Sequence, residues 1–424
     1  MNWKTAAYII LFALIFIDPF FFNIPVGPLR MTLIRLVIGV LFVIMLDRIF
    51  IKRNPFHTDH IRFPLIFLGI WFYYGALSLI WTSSKGTAIK ELYYFAVFLL
   101  LIIVLIFLLQ NIKSSLITIT FWLGGFVIVL ISVIEFTFNV HLPTSRYVIE
   151  AERFMDITYR RATGFFYNEN DLAFFLVLVF PFYLTGLFTK SFILKVVNVF
   201  TLITILLLAY FNDAKLSIIA VILQFVLFLL LSNKKLIING TRLIMLFTPL
   251  ILLATATAVY YLSNSSLFEG IKAGQGSEFI RMNLYLNGLY ATFQSFMLGV
   301  GPGNFQHNIY PIFNTLGFIN PHNWWLEVLT NYGLFIFAGY CAFFLYIMVQ
   351  LYLIYWSDKK NNKLALTLFL SFTGFAIACL GPSSLFYFWP MWLLYGVTLG
   401  YIVKKRKYLI RERTPDHSLE SKEG

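Results

Sequence analysis

Residues 88–109 read AIKELYYFAVFLLLIIVLIFLL, and from Leu92 to Leu109 no residue is charged. A run of this length matches the roughly 20 residues an α-helix needs to cross a hydrocarbon core. The pattern recurs along the chain. Apolar runs bounded by charged or Gly/Pro breaks lie near 5–22, 31–50, 62–81, 88–109, 115–138, 171–189, 193–211, 214–232, 242–262, 322–356, 363–381 and 384–403. The expected fold is an all-α polytopic membrane protein of about 12 transmembrane helices over residues 1–404, followed by a basic, then polar, cytoplasmic tail at 405–424.

Composition agrees. Of 424 residues, 60% are hydrophobic and 12% charged, with 48 Phe. That is about half the charge of an ordinary soluble domain, and mean hydropathy is +0.81. A soluble globular, disordered or collagen-like chain is excluded. The N-terminal stretch has one lysine before its apolar run but no small-x-small site after it, so an uncleaved first helix is expected. Cys341 and Cys379 sit inside apolar runs, with no metal-ligand spacing and no disulfide framework.

The net charge of +13 is a topology signal. With the N-terminus inside, 21 of the 32 Lys and Arg and 7 of the 19 acids fall on the cytoplasmic side. The balance is then +14 inside and −1 outside, so the chain points to a membrane and to no nucleic acid. Both termini are expected in the cytoplasm. Cytoplasmic loops are short and hold no P-loop or Rossmann fingerprint, which leaves chemistry driven by cytosolic nucleotides without a place. Two external loops are long, 139–170 and 263–321, the second between helices 9 and 10 and partly helical. Loops this long between packed helices are usually functional. No internal repeat appears, against a transporter built from matched halves.

Five segments lie at the external face. YRRATGFFYNENDLAFFL (159–176) places Arg160 and Arg161 about ten residues before the next span, with Gly164 at a turn and Asn168 or Asn170 as helix cap. Paired guanidinium forks suit phosphate oxygens, on a substrate or on lipid headgroups. AYFNDAKLSII (209–219) puts Asp213 and Lys215 where two helices turn; Lys215 either snorkels to the headgroups or serves a site, and Asp213 is its natural partner. Residues 278–297 have helical periodicity and carry Arg281, with Asn283 and Asn287 along the segment. GVGPGN (299–304) follows, a tight turn containing Gly301, Gly303 and Asn304; it either ends the helix or turns backbone donors toward an anion. PHNWWLEVLTNYG (321–333) then opens the tenth span with His322 at its external end and Asn323, Glu327 and Asn331 as a polar stripe. A span from 322 to 356 is roughly 52 Å long, so its first turns protrude or bend along the interface.

Together these motifs resemble the O-antigen ligase and polymerase superfamily, the Wzy/WaaL-type membrane glycosyltransferases. The resemblance covers residues 160–335, and the last segment is similar to Gram-positive members of the teichuronic acid polymerase type. It implies metal-independent transfer of an undecaprenyl-diphosphate-linked glycan donor to an acceptor glycan on the outer face of the cell membrane. It needs no cofactor. It further implies that Arg160 or Arg161 and Arg281 bind the diphosphate, and that His322 acts as base or orients the acceptor. At the turn where the family commonly has another arginine this chain has Lys215, which keeps the charge but loses the fork. Glu327 either orients the His322 ring or packs within its helix. Asn323, Gly301, Gly303 and Asn304 are supporting residues.

The function expected is polymerisation of lipid-linked repeat units, with membrane lipid, a chain-length regulator and a flippase as further partners. A ligase moving a finished glycan to a lipid, wall or protein acceptor is the alternative. A non-catalytic flippase is a second, disfavoured because polar groups gather at the outer helix ends. Metal-dependent membrane glycosyltransferases place acidic pairs in the first external loop, whereas here DPFFFNIPVGPLR (18–30) has Asp18 alone.

Overall fold

The computed structural model describes residues 2–21, 23–26, 29–53, 56–154, 160–232 and 276–413. Among these, the helices longer than two turns are α1 (Trp3–Ile17), α2 (Leu33–Leu46), α3 (Arg62–Leu77), α4 (Lys85–Leu109), α5 (Ser114–Phe138), α6 (Glu169–Gly186), α7 (Phe192–Phe211), α8 (Lys215–Ser232), α9 (Ser277–Gln294), α10 (Trp324–Ser357), α11 (Lys363–Ala378) and α12 (Trp389–Arg413). A two-stranded hairpin, Asn23–Val26 against Leu29–Thr32, precedes α2. Eight of the described helical segments are long and apolar enough to cross a membrane. The chain is a polytopic all-α membrane protein. Eleven of the twelve expected spans carry a helix; the one near 242–262, the loop residues 263–275 and the tail from 414 lie outside the described residues.

Helix boundaries follow local chemistry. The Asn168 side chain accepts from the Asp171 amide at 2.9 Å and caps α6, and Asn323 caps α10 by accepting from Leu326 at 3.2 Å. Inside α6, Pro181 has no amide to offer the Val177 carbonyl four residues back. Gln224 of α8 supplies the missing donor: its Nε2 lies 2.9 Å from the Val177 oxygen and 2.9 Å from the Leu370 oxygen of α11. Gly374 gives that amide its room, because a Cβ there would stand 2.1 Å from Nε2. One side chain thus joins three helices where water cannot serve as donor.

One boundary expectation is corrected, and a break near the start of the tenth span is located. The eleventh and twelfth spans do not run to 381 and from 384. Helix α11 ends at Ala378 and α12 begins at Trp389, leaving a connection over 379–388. Leu385 and Phe386 look like membrane residues by hydropathy, but both are buried in this connection, with Phe386 against Phe95 and Trp392. Helix α10, at 34 residues, is broken at Gly333 (φ 77°, ψ 176°), which separates a short leading segment from the long apolar one.

Short connections make neighbouring helices alternate in direction. The C-terminal ends of α3, α5, α7 and α11 therefore share one end of the bundle with the starts of α4, α6, α8, α10 and α12. Cross-links at that end hold them: Trp81 Nε1 to the Gly299 carbonyl at 2.9 Å, the Ala162 amide to Asn212 Oδ1 at 3.0 Å, and the His322 amide to the Ser383 carbonyl at 3.2 Å.

Candidate active site

Lys215 and Arg281 share a cleft. Both line a small cleft of about 70 Å³ at this end of the bundle, together with Asn170, Asp213, Ser217, Glu278 and Gly381. Lys215 opens α8 directly after a tight turn in which Asp213 has φ 54°. Its ammonium lies 3.9 Å from Asp213 Oδ1, a pairing between largely exposed groups that contributes little. Arg281 rises from the first turns of α9, one turn after Glu278. Among the described residues its guanidinium has no hydrogen-bonded or ion-paired partner, so its donors remain available.

His322 sits one layer away, across Gly381. Its Nδ1 is 3.3 Å from the Gly381 carbonyl oxygen. A carbonyl only accepts, so this contact puts the proton on Nδ1 and leaves the lone pair on Nε2. The residue has φ 48°, a left-handed conformation that asparagine, aspartate and histidine tolerate better than most. Its own carbonyl accepts from the Tyr285 hydroxyl at 3.3 Å. Tyr285 is four residues after Arg281 and so on the same face of α9. Burial holds the imidazole below the usual histidine range; the Gly381 hydrogen bond opposes this, and the positive charge of Arg281 reinforces it. Low basicity keeps the ring neutral.

Glu327 does not orient that ring. Its Oε1 accepts from Ser384 Oγ at 2.5 Å and its Oε2 from the Leu385 amide at 3.3 Å. The buried carboxylate therefore clamps the 379–388 connection onto the start of α10, and that connection presents the Gly381 carbonyl to His322. Asn323 caps the helix beneath.

The GVGPGN turn is a clasp between chain segments. The amides of Val300 and Gly301 donate to the Thr330 and Asn331 carbonyls at 2.9 and 2.8 Å, so neither faces an anion. Gly299 (φ 83°) lies against the break at Gly333, where a Cβ on either residue would come within 2.4 Å of the other strand's backbone. Asn304 Oδ1 accepts from the Ser84 amide at 2.8 Å and Ser83 Oγ at 3.0 Å. A Cβ on Gly303 would stand 2.9 Å from Glu91 Oε2. Gly301, Gly303 and Asn304 thus fix α10 to the α3–α4 turn and are not among the residues lining the cleft.

Arg160 and Arg161 are at the same end with other partners. Arg160 Nη1 donates to the Thr137 carbonyl at 2.6 Å, and Arg161 Nη1 meets Glu169 Oε1 at 2.8 Å, an oxygen also 2.5 Å from Arg146. The segment itself is pinned beside the cleft by the Ala162–Asn212 contacts and by Glu135 Oε2, which accepts from Thr163 and Gly164 at 2.7 and 2.6 Å.

Sequence reasoning misses Gly381, Ser383, Ser384 and Tyr285. The Gly-Pro pair at 381–382 between two apolar runs is the available signal for the first three, and the i, i+4 spacing from Arg281 for the last. Among the described residues no three His, Cys, Asp or Glu gather as a metal ion would require.

Comparison with known proteins agrees with the motif resemblance. Residues 200–341 match the family described as O-antigen ligase, a stretch that includes Lys215, Arg281 and His322. The chain is also 27% identical over 430 residues, 95% of this chain and 85% of the other, to the teichuronic acid biosynthesis protein TuaE of Bacillus subtilis (strain 168).

Proposed function

We propose that this chain polymerises polyprenyl-diphosphate-linked oligosaccharide repeat units on the outer face of the cytoplasmic membrane, for a surface polysaccharide of the teichuronic acid kind. The observation that carries the reading is the convergence of Lys215 and Arg281 in a cleft bounded by Gly381, whose carbonyl holds His322. Similarity along almost the whole chain to a teichuronic acid biosynthesis protein supports the choice of product.

In this mechanism an acceptor sugar hydroxyl gives its proton to His322 Nε2 and attacks the anomeric carbon of the donor. The carbon–oxygen bond to the diphosphate breaks, and its electron pair leaves on the polyprenyl diphosphate. Arg281 and Lys215 stabilise the charge that grows on those oxygens, an effect that is stronger where water is partly excluded. The sugar–diphosphate bond supplies the driving force, so the reaction needs neither a nucleotide nor a divalent metal. Arg160 and Arg161 hold the 160–164 segment beside the cleft at the donor's approach.

A ligase reading has its own support in the family description matched by residues 200–341. The two diverge in product. Purified protein given a lipid-linked repeat unit should make a ladder of lengthening products; transfer of one preformed glycan to a non-identical acceptor, with no ladder, selects the ligase. The external placement of the site is tested by a cysteine at Asn314 in a Cys-free background. It should react with membrane-impermeant reagents in intact cells, and labelling only after cytosolic access overturns the topology.

A further inference from the structure

Helix α2 begins with an arginine at the site end of the bundle. Arg35 lies in its first turn, where its guanidinium carbon is 4.6 Å from the Tyr94 ring centroid and 5.5 Å from that of Tyr93. Its Nε and Nη1 atoms are buried and have no hydrogen-bond partner. Asp18 is the carboxylate within electrostatic reach, and its Oδ1 already accepts from the Ile34 amide at 2.8 Å. Arg35 is half-buried, and two buried guanidinium nitrogens left without acceptors are costly, so the group favours an anion at its open side.

From Arg35 an apolar furrow of about 520 Å³ runs down the face of α2 against α4. Its lining along α2 is a single stripe, Leu36, Gly39, Val40 and Val43, with Tyr93 opposite. Val40 and Val43 are exposed, and nothing lies within 4 Å of a Cβ built on Gly39. The stripe is a single ridge of α2 at i, i+3, i+4 and i+7, about 13 Å long from Arg35 to Ile44 at 1.5 Å per residue. Tyr94 continues the series toward the site: its ring meets Tyr387 at 4.9 Å, edge on, and Tyr387 belongs to the connection that presents Gly381 to His322.

We propose that this furrow seats the isoprenoid chain of a polyprenyl phosphate or diphosphate, with the phosphate on Arg35. A cation at the headgroup end of a single apolar stripe complements a lipid with one chain per phosphate; a phosphatidyl lipid brings two chains. The inference rests on the reading that this chain handles lipid-linked glycans, and it adds where one substrate's tail lies. Transfer joins two such lipids, so a seat on α2, outside the Lys215–Arg281 cleft, separates the two tails.

The test is binding without turnover, on the full chain in nanodiscs carrying His322→Ala, titrated with undecaprenyl phosphate. Arg35→Gln should weaken binding at least tenfold, and Gly39→Leu, which fills open space and leaves the thermal midpoint unchanged, should weaken it similarly. Phosphatidylglycerol should bind more weakly and ignore Gly39→Leu. Equal binding of phosphatidylglycerol with the same sensitivity to both variants overturns the proposal in favour of ordinary annular lipid. Undecaprenyl phosphate binding that depends on Arg35 but ignores Gly39→Leu overturns the tail seat. Undecaprenyl phosphate binding indifferent to both variants overturns all of it. Failure of the polymerase reading would appear instead in the product assay, with this binding intact.

Discussion

The Nδ1 of His322 and the carbonyl oxygen of Gly381 stand 3.3 Å apart, which directs the basic nitrogen of the ring away from the loop that holds it. His322→Ala should therefore leave donor binding nearly unchanged while lowering the transfer rate on the order of 100-fold or more, the usual scale for a general base. Single-turnover rates and donor affinity, measured separately, check it. Lost affinity at an unchanged rate would make His322 a binding residue.

The pH dependence has a definite sign. Burial and the Arg281 charge disfavour the imidazolium, so the ring is neutral to lower pH than a free histidine near 6.5. The rate should hold through pH 6.5 and fall only below it, as the base becomes protonated. A pH–rate profile whose acid limb has its midpoint above 6.5 would contradict this environment. Removing the Arg281 charge should raise the His322 pKa, visible as slower modification by diethylpyrocarbonate near pH 6 in Arg281→Ala.

Arg281→Ala should abolish polymer while the protein stays in the membrane at normal level. Lys215→Arg should keep activity, because a fork replaces a point charge in the same cleft. Product gels alongside membrane immunoblots distinguish lost chemistry from lost protein.

Glu327→Ala removes the acceptor from Ser384 Oγ and the Leu385 amide. Each buried donor left unmet costs about 1–3 kcal/mol, so the thermal midpoint should drop and activity should fall with it as Gly381 loses its support. Glu327→Gln retains an acceptor oxygen and should recover most of the stability.

Gly333→Ala forces a side chain into a backbone region that is essentially glycine's own, at about 1–3 kcal/mol, and against the Met297 carbonyl 2.4 Å away. Expression and thermal midpoint should fall together. Gly317→Ala also has positive φ but meets nothing within 4 Å, and should show a smaller loss.

Hydropathy makes the helices legible because a bilayer imposes a uniform demand on every span. It fails at Leu385 and Phe386, both buried inside the protein, Phe386 against Trp392 and Phe95. The chemistry-bearing residues are legible in part. Lys215 and Arg281 stand out as charges near the starts of apolar or amphipathic helices, and the structure puts both in one cleft. Arg161 stands out equally, yet Glu169 eight residues on holds it. No local pattern could tell the two cases apart, since pairing depends on how the loop folds back. Gly381 carries no side-chain signal at all: it contributes a carbonyl.

The bond from the Ser84 amide to Asn304 bears on the order in which the protein is made. Helix α4, the most apolar of the described spans, has no capping bond from a side chain near its own start. Its cap arrives from residue 304, 220 positions later. While the ribosome is still synthesising the middle of the chain, α4 is already in the bilayer with that end open. The glycine-rich turn closes that end only after most of the protein has been inserted, so final docking of the membrane bundle and completion of the site belong to the same late step of biogenesis.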